Sequence, residues 1–167
     1  MHEPVQRHHA GMIAPHAATP TNVAEHLRDD EIDVWHLRYR PQEGRAPLRR
    51  LLSAYLRVDA DELGFVEGRH GRPALASGHD QSLGFNWSHS GTHAAVAIGR
   101  HIAPGIDIEQ KRDRPRALDI AQRFFCAEEA AALAAVPAHE ASASFLELWT
   151  AKEAVLKALG RGLAFGL

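Results

Sequence analysis

The chain has 167 residues, 45% of them hydrophobic and 24% charged, which supplies one globular core and excludes a mainly disordered protein. A formal net charge of −2 argues against a nucleic-acid backbone or an anionic membrane as the principal partner. Cys126 is the single cysteine, so no intrachain disulfide forms, and with no signal-like or membrane-spanning apolar run the expected compartment is the cytoplasm.

Residues 1–30 are rich in His, Pro, Ala and Thr without periodicity and are expected to form a disordered leader, whose His2, His8, His9 and His16 lack the spacing of a closed metal site. The domain proper is expected over 31–167. A strand is predicted from Ile32 to Leu37, a turn at Pro41-Gln42-Glu43-Gly44, and a helix from near Arg45. That helix carries an apolar stripe of Leu48, Leu51, Leu52, Tyr55 and Leu56, with Arg45, Arg49, Arg50 and Arg57 on the other side. Most such arginines belong to a solvated face, although one or two of them suit a phosphate. Asp59 to Leu63 reads as a helical turn, Phe65-Val66 as a short strand, and Gly68 to Gly78 as a loop around Gly71-Arg72-Pro73. His93 to Gly99 is a strong strand, and the turn at Pro104-Gly105 predicts a β-hairpin over 92–109. Helices are predicted over Ala117–Phe125, Glu128–Val136 and Ser142–Leu159, the last closed by Gly160.

Three features carry chemistry. In Gly105-Ile106-Asp107-Ile108-Glu109 the polar and apolar residues alternate, so Asp107 and Glu109 share one face of an extended segment, roughly 6.5–7 Å apart. With Glu153 they would supply a partial oxygen shell for Mg²⁺, a hard cation that keeps several waters and shares its other positions with substrate phosphates. The plainer alternatives are a solvated strand face and, for Glu153 with Lys157, an i,i+4 ion pair on a helix. In Asn86-Trp87-Ser88-His89-Ser90 a hydroxyl and an imidazole can donate to a phosphate. A Ser–His hydrolase is disfavoured there, because adjacent residues of an extended chain point to opposite faces and no nucleophile elbow is present. Lys152 and Lys157 flank Glu153 and suit phosphoryl chemistry, or else a salt-bridged helix with Phe145, Leu148, Trp149, Val155, Leu156 and Leu159 buried.

Taken jointly, Gly71-Arg72-Pro73, Asn86 to Ser90, Gly105 to Glu109, Arg123-Phe124-Phe125 with Glu128-Glu129, Trp149 to Lys157 and Gly160-Arg161-Gly162-Leu163 resemble the 4′-phosphopantetheinyl transferase superfamily in order and spacing. The resemblance runs from about Leu48 to Leu163 and is nearest to the group that activates peptide and polyketide synthases. It implies an α+β fold of two similar halves, of which this chain would hold one half and an incomplete second half. It also implies Mg²⁺-dependent transfer of the phosphopantetheine arm of coenzyme A to a serine of an acyl or peptidyl carrier protein. By matching positions, Asp107, Glu109 and Glu153 are the implied metal ligands, Glu153 is the base for the carrier serine, and Lys157 stabilises the pyrophosphate or protonates the leaving group. Arg72, Ser88, His89 and Lys152 are the implied holders of coenzyme A phosphates. The basic segment after the first strand is shorter than in the family, leaving Arg40 or Arg45 as substitutes, and the chain stops after the last motif. A non-catalytic relative that binds coenzyme A or a carrier protein is the alternative, and a metal-dependent phosphodiester hydrolase is a third.

Overall fold

The computed structural model describes residues 27–68 and 71–160. Residues 1–26 of the leader expected over 1–30 and the Arg161-Gly162-Leu163 part of the last motif lie outside the described residues. Leu27, inside the span expected to be leader, is 7% exposed and packs into the core.

The first strand, β1 (Ile32–Arg38), leads through a 3-10 turn at Pro41–Glu43 to helix α1 (Ala46–Leu56). A small ribbon follows, made by β2 (Phe65–Glu67) and β3 (Pro73–Leu75) in antiparallel register. Strands β4 (Leu83–Ser90) and β5 (His93–Arg100) form a hairpin, and the chain ends its described part with helices α2 (Ala117–Phe124), α3 (Ala127–Ala134) and α4 (Ala138–Ala158). The main sheet is antiparallel, in the order β1-β5-β4. The mixed α+β class read from the sequence is the class observed.

Strand β5 is central, and Ala94 to Gly99 are all buried, which is why the sequence there is a continuous apolar run with no alternation. On one face of the sheet, Trp35 of β1, Phe85 of β4, and Val96 and Ile98 of β5 meet Leu48, Leu51, Leu52 and Tyr55 of α1. The apolar stripe of α1 is therefore its buried side, and each fully buried leucine contributes ~1.5–3 kcal/mol. The Trp35 indole donates to the Tyr55 hydroxyl at 2.7 Å, and that hydroxyl donates to buried Asp33 at 2.7 Å, so the polar atoms under α1 are satisfied. The arginines of α1 hold local structure. Arg49 donates to the Leu63 carbonyl and lies over the Phe65 ring, while Arg45 and Arg50 reach Glu67 and Glu43. A second cluster joins the helices through Ala117, Ala121, Phe125, Leu133, Phe145 and Leu146, with Trp149 packed against it.

Three boundaries differ from the sequence-based expectation. The hairpin spans 83–100 rather than 92–109, with Gly91 (φ +60°) in its turn; β5 pairs on both sides with β1 and β4 and has no edge left for residues 105–109. Inside the expected 68–78 loop, Pro73–Leu75 is a strand; Pro73 sits at its start, where a proline ring is tolerated. Helix α4 starts at Ala138, directly after Pro137, four residues before the expected Ser142.

Candidate active site

After β5 the chain reverses at His101, which has φ +56°, and folds back across the sheet. It crosses β4 at Gly84, where a Cβ would stand 1.9 Å from the Ile102 carbonyl oxygen, so only glycine allows the crossing. Residues 105–110 then run alongside β4 as an extended segment with no strand partner of its own. The even-numbered side chains of β4 take the place of a ladder. Asn86 Oδ1 accepts from the Ile106 amide at 3.2 Å, Ser88 Oγ donates to Asp107 Oδ1 at 2.7 Å, and Ser90 Oγ donates to Glu109 Oε2 at 3.1 Å. Ser90 Oγ also accepts from the Gln110 amide at 3.0 Å. The two-residue period of β4 thus imposes its spacing on the acidic segment.

Helix α4 closes the other side. At Gly105 a Cβ would lie 2.0 Å from the Ala154 carbonyl oxygen and 2.5 Å from the Ala158 nitrogen, so the segment touches helix backbone. This contact brings Lys157 over the sheet, where its ammonium donates to Asp107 Oδ1 at 2.6 Å and to Ser88 Oγ at 3.0 Å. Lys157 therefore pairs with a carboxylate 50 residues earlier in the chain, and the i,i+4 ion pair with Glu153 is not formed. Between the segment and α4 lies an open groove of about 540 Å³, lined among others by Asp107, Glu109, Lys111, Glu147 and Thr150.

Two oxygens at this place have no partner among the described residues although both are buried: Asp107 Oδ2 and Glu153 Oε1. A buried acceptor left unpaired costs ~1–3 kcal/mol, so such atoms mark where a ligand is expected to bind. Burial pushes the Glu153 carboxyl above the usual carboxylate range; Lys157 opposes that shift, and the negative charges of Asp107 and Glu109 add to it. Glu109 is partly neutralised by Arg114, 3.3 Å from its Oε2, and Arg114 is itself anchored where its amide donates to Ser142 Oγ at 3.0 Å. As the side chains stand, no group of three or more His, Cys, Asp or Glu among the described residues is set to hold a metal ion. Asp107 and Glu153 offer bare, hard oxygens that fit part of a Mg²⁺ shell, while the Glu109 oxygen facing Ser90 and Arg114 is committed elsewhere.

The structure brings together Ser88, Asp107 and Lys157 in direct contact, with Glu109 and Asp107 near enough to Glu153 for their charges to raise its pKa. Three other residues singled out in the sequence are engaged with other partners. His89 is on the opposite face of β4 from Ser88, its ring 4.6 Å from that of Tyr39. Lys152 pairs with Glu129 of α3 at 2.8 Å and lies 5.3 Å over the Phe125 ring. The Arg72 guanidinium is engaged by backbone carbonyls, and burial lowers its pKa from the ordinary value. Asn86, Ser90, Arg114 and Gly105 were not singled out as site residues. The i,i+2 spacing of Asn86, Ser88 and Ser90 was the available signal.

Residues 103–167 match the family model of the 4′-phosphopantetheinyl transferase superfamily. A putative 4′-phosphopantetheinyl transferase of Synechocystis is 35% identical over 123 residues, covering 74% of this chain and 50% of that relative. The 4′-phosphopantetheinyl transferase HetI of Nostoc is 34% identical over 150 residues, covering 86% and 63%, and the 4′-phosphopantetheinyl transferase Sfp of Bacillus subtilis is 33% identical over 124 residues, covering 74% and 53%. The chain belongs to the 4′-phosphopantetheinyl transferase superfamily. It spans between half and two thirds of the length of these relatives.

Proposed function

We propose that this chain carries the reacting half of a 4′-phosphopantetheinyl transferase, which moves the phosphopantetheine arm of coenzyme A onto a serine of an acyl or peptidyl carrier protein. The observation that supports it best is the Ser88–Asp107–Lys157 triangle beside Glu153, with two buried carboxylate oxygens left bare. In this reading the carrier serine oxygen bonds to the phosphorus that bears the pantetheine, and the bond from that phosphorus to the bridging pyrophosphate oxygen breaks. Adenosine 3′,5′-bisphosphate leaves. Glu153, whose carboxyl pKa is raised by burial, takes the serine proton. Lys157 sits where it can neutralise the leaving oxygen, and Ser88 orients both Lys157 and Asp107. Asp107 and Glu153 would hold Mg²⁺, joined by Glu109 through its free oxygen, and the bound ion would supply charge neutralisation of the pyrophosphate. A cytoplasmic setting accords with such substrates, and no described helix is long and apolar enough to cross a membrane.

The reading is tested by incubating the chain with coenzyme A, Mg²⁺ and apo carrier proteins and following carrier mass. Arm transfer that disappears in Glu153→Gln supports it, and no mass gain on any carrier rejects it. A second reading, a relative that holds coenzyme A or a carrier protein without turnover, draws on Glu109 being tied to Arg114. Calorimetric binding of coenzyme A with no transfer would favour that reading.

A further inference from the structure

Arg72 is fixed by three carbonyl oxygens from three parts of the fold. One terminal nitrogen donates to the Lys157 carbonyl of α4; the other donates to the Phe85 carbonyl of β4 at 3.0 Å and to the Pro104 carbonyl at 3.0 Å. The Lys157 carbonyl lies in the last turn of α4, where it also accepts from the Gly160 amide at 3.1 Å, at the end where a helix favours positive charge. Pro104 immediately precedes Gly105, the residue that touches the backbone of Ala154 and Ala158. One guanidinium therefore joins the sheet, the start of the acidic segment and the end of the helix that carries Glu153 and Lys157.

We infer that Arg72 is a positioning residue, a clamp that seats the last turns of α4 against β4 and so sets Lys157 and Glu153 opposite Asp107, rather than a ligand of coenzyme A phosphate. A phosphate asks for the same fork of donors that these carbonyls occupy. Three of the four N–H bonds on the two terminal nitrogens are spent within the protein. A lysine here keeps the charge but has a single nitrogen, so it cannot span acceptors on three elements with the planar reach of arginine.

The consequence for catalysis rests on the transferase reading; the clamp does not, so its test needs no turnover. Amide hydrogen exchange is measured on the full chain, free of substrate, for the unmodified protein, Arg72→Met and Arg72→Lys. The expected result is exchange at least about tenfold faster at residues 154–158 in Arg72→Met, an intermediate change in Arg72→Lys, and unchanged exchange in β5. Mn²⁺ affinity by calorimetry falls in the same order, because Glu153 is no longer held opposite Asp107. Affinity for adenosine 3′,5′-bisphosphate stays within about threefold. Unchanged exchange at 154–158 in Arg72→Lys, or an affinity for the bisphosphate that falls tenfold while helix exchange is unaltered, would overturn the clamp. Where Arg72→Met fails to fold, Arg72→Lys alone decides by the same two readouts. If the chain transfers the arm, kcat falls in both variants and KM for coenzyme A does not. If it transfers nothing, the exchange result still stands and only the catalytic reading is lost.

Discussion

Asp107 has one oxygen that accepts from both Ser88 and Lys157 and one that accepts from nothing described. Its side chain is 7% exposed, so the carboxylate depends on Lys157 for most of its compensation. Lys157→Met is expected to destabilise the chain by ~1–3 kcal/mol, because removing one partner leaves a buried charge unpaired. Asp107→Asn added to it is expected to restore part of that loss; strictly additive urea-denaturation energies in the four-member cycle would contradict the coupling. Glu153 has the opposite problem, since burial and two like charges raise its pKa. A carboxyl whose folded pKa lies above its unfolded one is most favourable to folding when protonated, below about pH 4, and that contribution is lost as pH rises through the folded value. Glu153→Gln is therefore expected to raise the melting temperature of the chelator-treated chain at about pH 7 and to leave it unchanged near pH 4. Equal gains at both pH values would show that charge is not the cause. The alternation of Asn86, Ser88 and Ser90 with Trp87 and His89 made the separation of Ser88 from His89 legible in the sequence. The commitments of Arg72 and Lys152 were not legible, because a cation next to a motif reads the same whether it meets a phosphate, a carbonyl or Glu129.

The elements were legible where one face is buried against one neighbour. The stripe of α1 and the run of β5 are consequences of burial, and burial is what the apolar pattern records. The acidic segment misled for a physical reason. Its alternation is real, yet its hydrogen bonds go to side chains of β4, and nothing in a polar–apolar period distinguishes a strand partner from a row of serine and asparagine side chains. What fixes the segment is glycine. Gly105→Ala puts a methyl group against the Ala154 carbonyl and Ala158 nitrogen, neither of which can move without unseating α4. The expected cost is ~2–3 kcal/mol, at the upper end of overpacking effects, with loss of Mn²⁺ binding because Asp107 and Glu153 are driven apart. Gly160, by contrast, has open space around its Cβ and only a positive φ of +65°, so Gly160→Ala is expected to cost ~1–2 kcal/mol and to leave Mn²⁺ affinity unaltered. Metal titration of the two variants separates close approach from backbone conformation.

At the scale of the molecule two apolar clusters are joined by polar contacts. One holds α1 against the sheet around Trp35; the other holds α2, α3 and α4 around Phe125, Phe145 and Trp149, whose rings lie 5.6–6.4 Å apart. Between them run the Lys157–Asp107–Ser88 contacts, the Arg72 clamp and the close approach at Gly105. Such a junction adds less cooperativity than a continuous apolar core, because each hydrogen bond contributes only ~0.5–1.5 kcal/mol net against water. The helical part also buries fewer large side chains, with Phe145 and Leu146 the buried residues of α4. It is therefore expected to open before the sheet. In urea, fluorescence of a Trp35→Phe, Trp87→Phe variant, which reports Trp149 alone, is expected to change at lower denaturant than that of Trp149→Phe, which reports the sheet. Mn²⁺ should draw the two transitions together if the proposed metal site is correct, since that site would take oxygens from both sides, Asp107 on the segment and Glu153 on α4. Coincident transitions without metal would mean that the polar junction couples the clusters fully and that the site is preformed. Separate transitions that merge with metal would mean that the last step in building the site is the seating of α4, and that cation binding and the Arg72 clamp act on the same equilibrium.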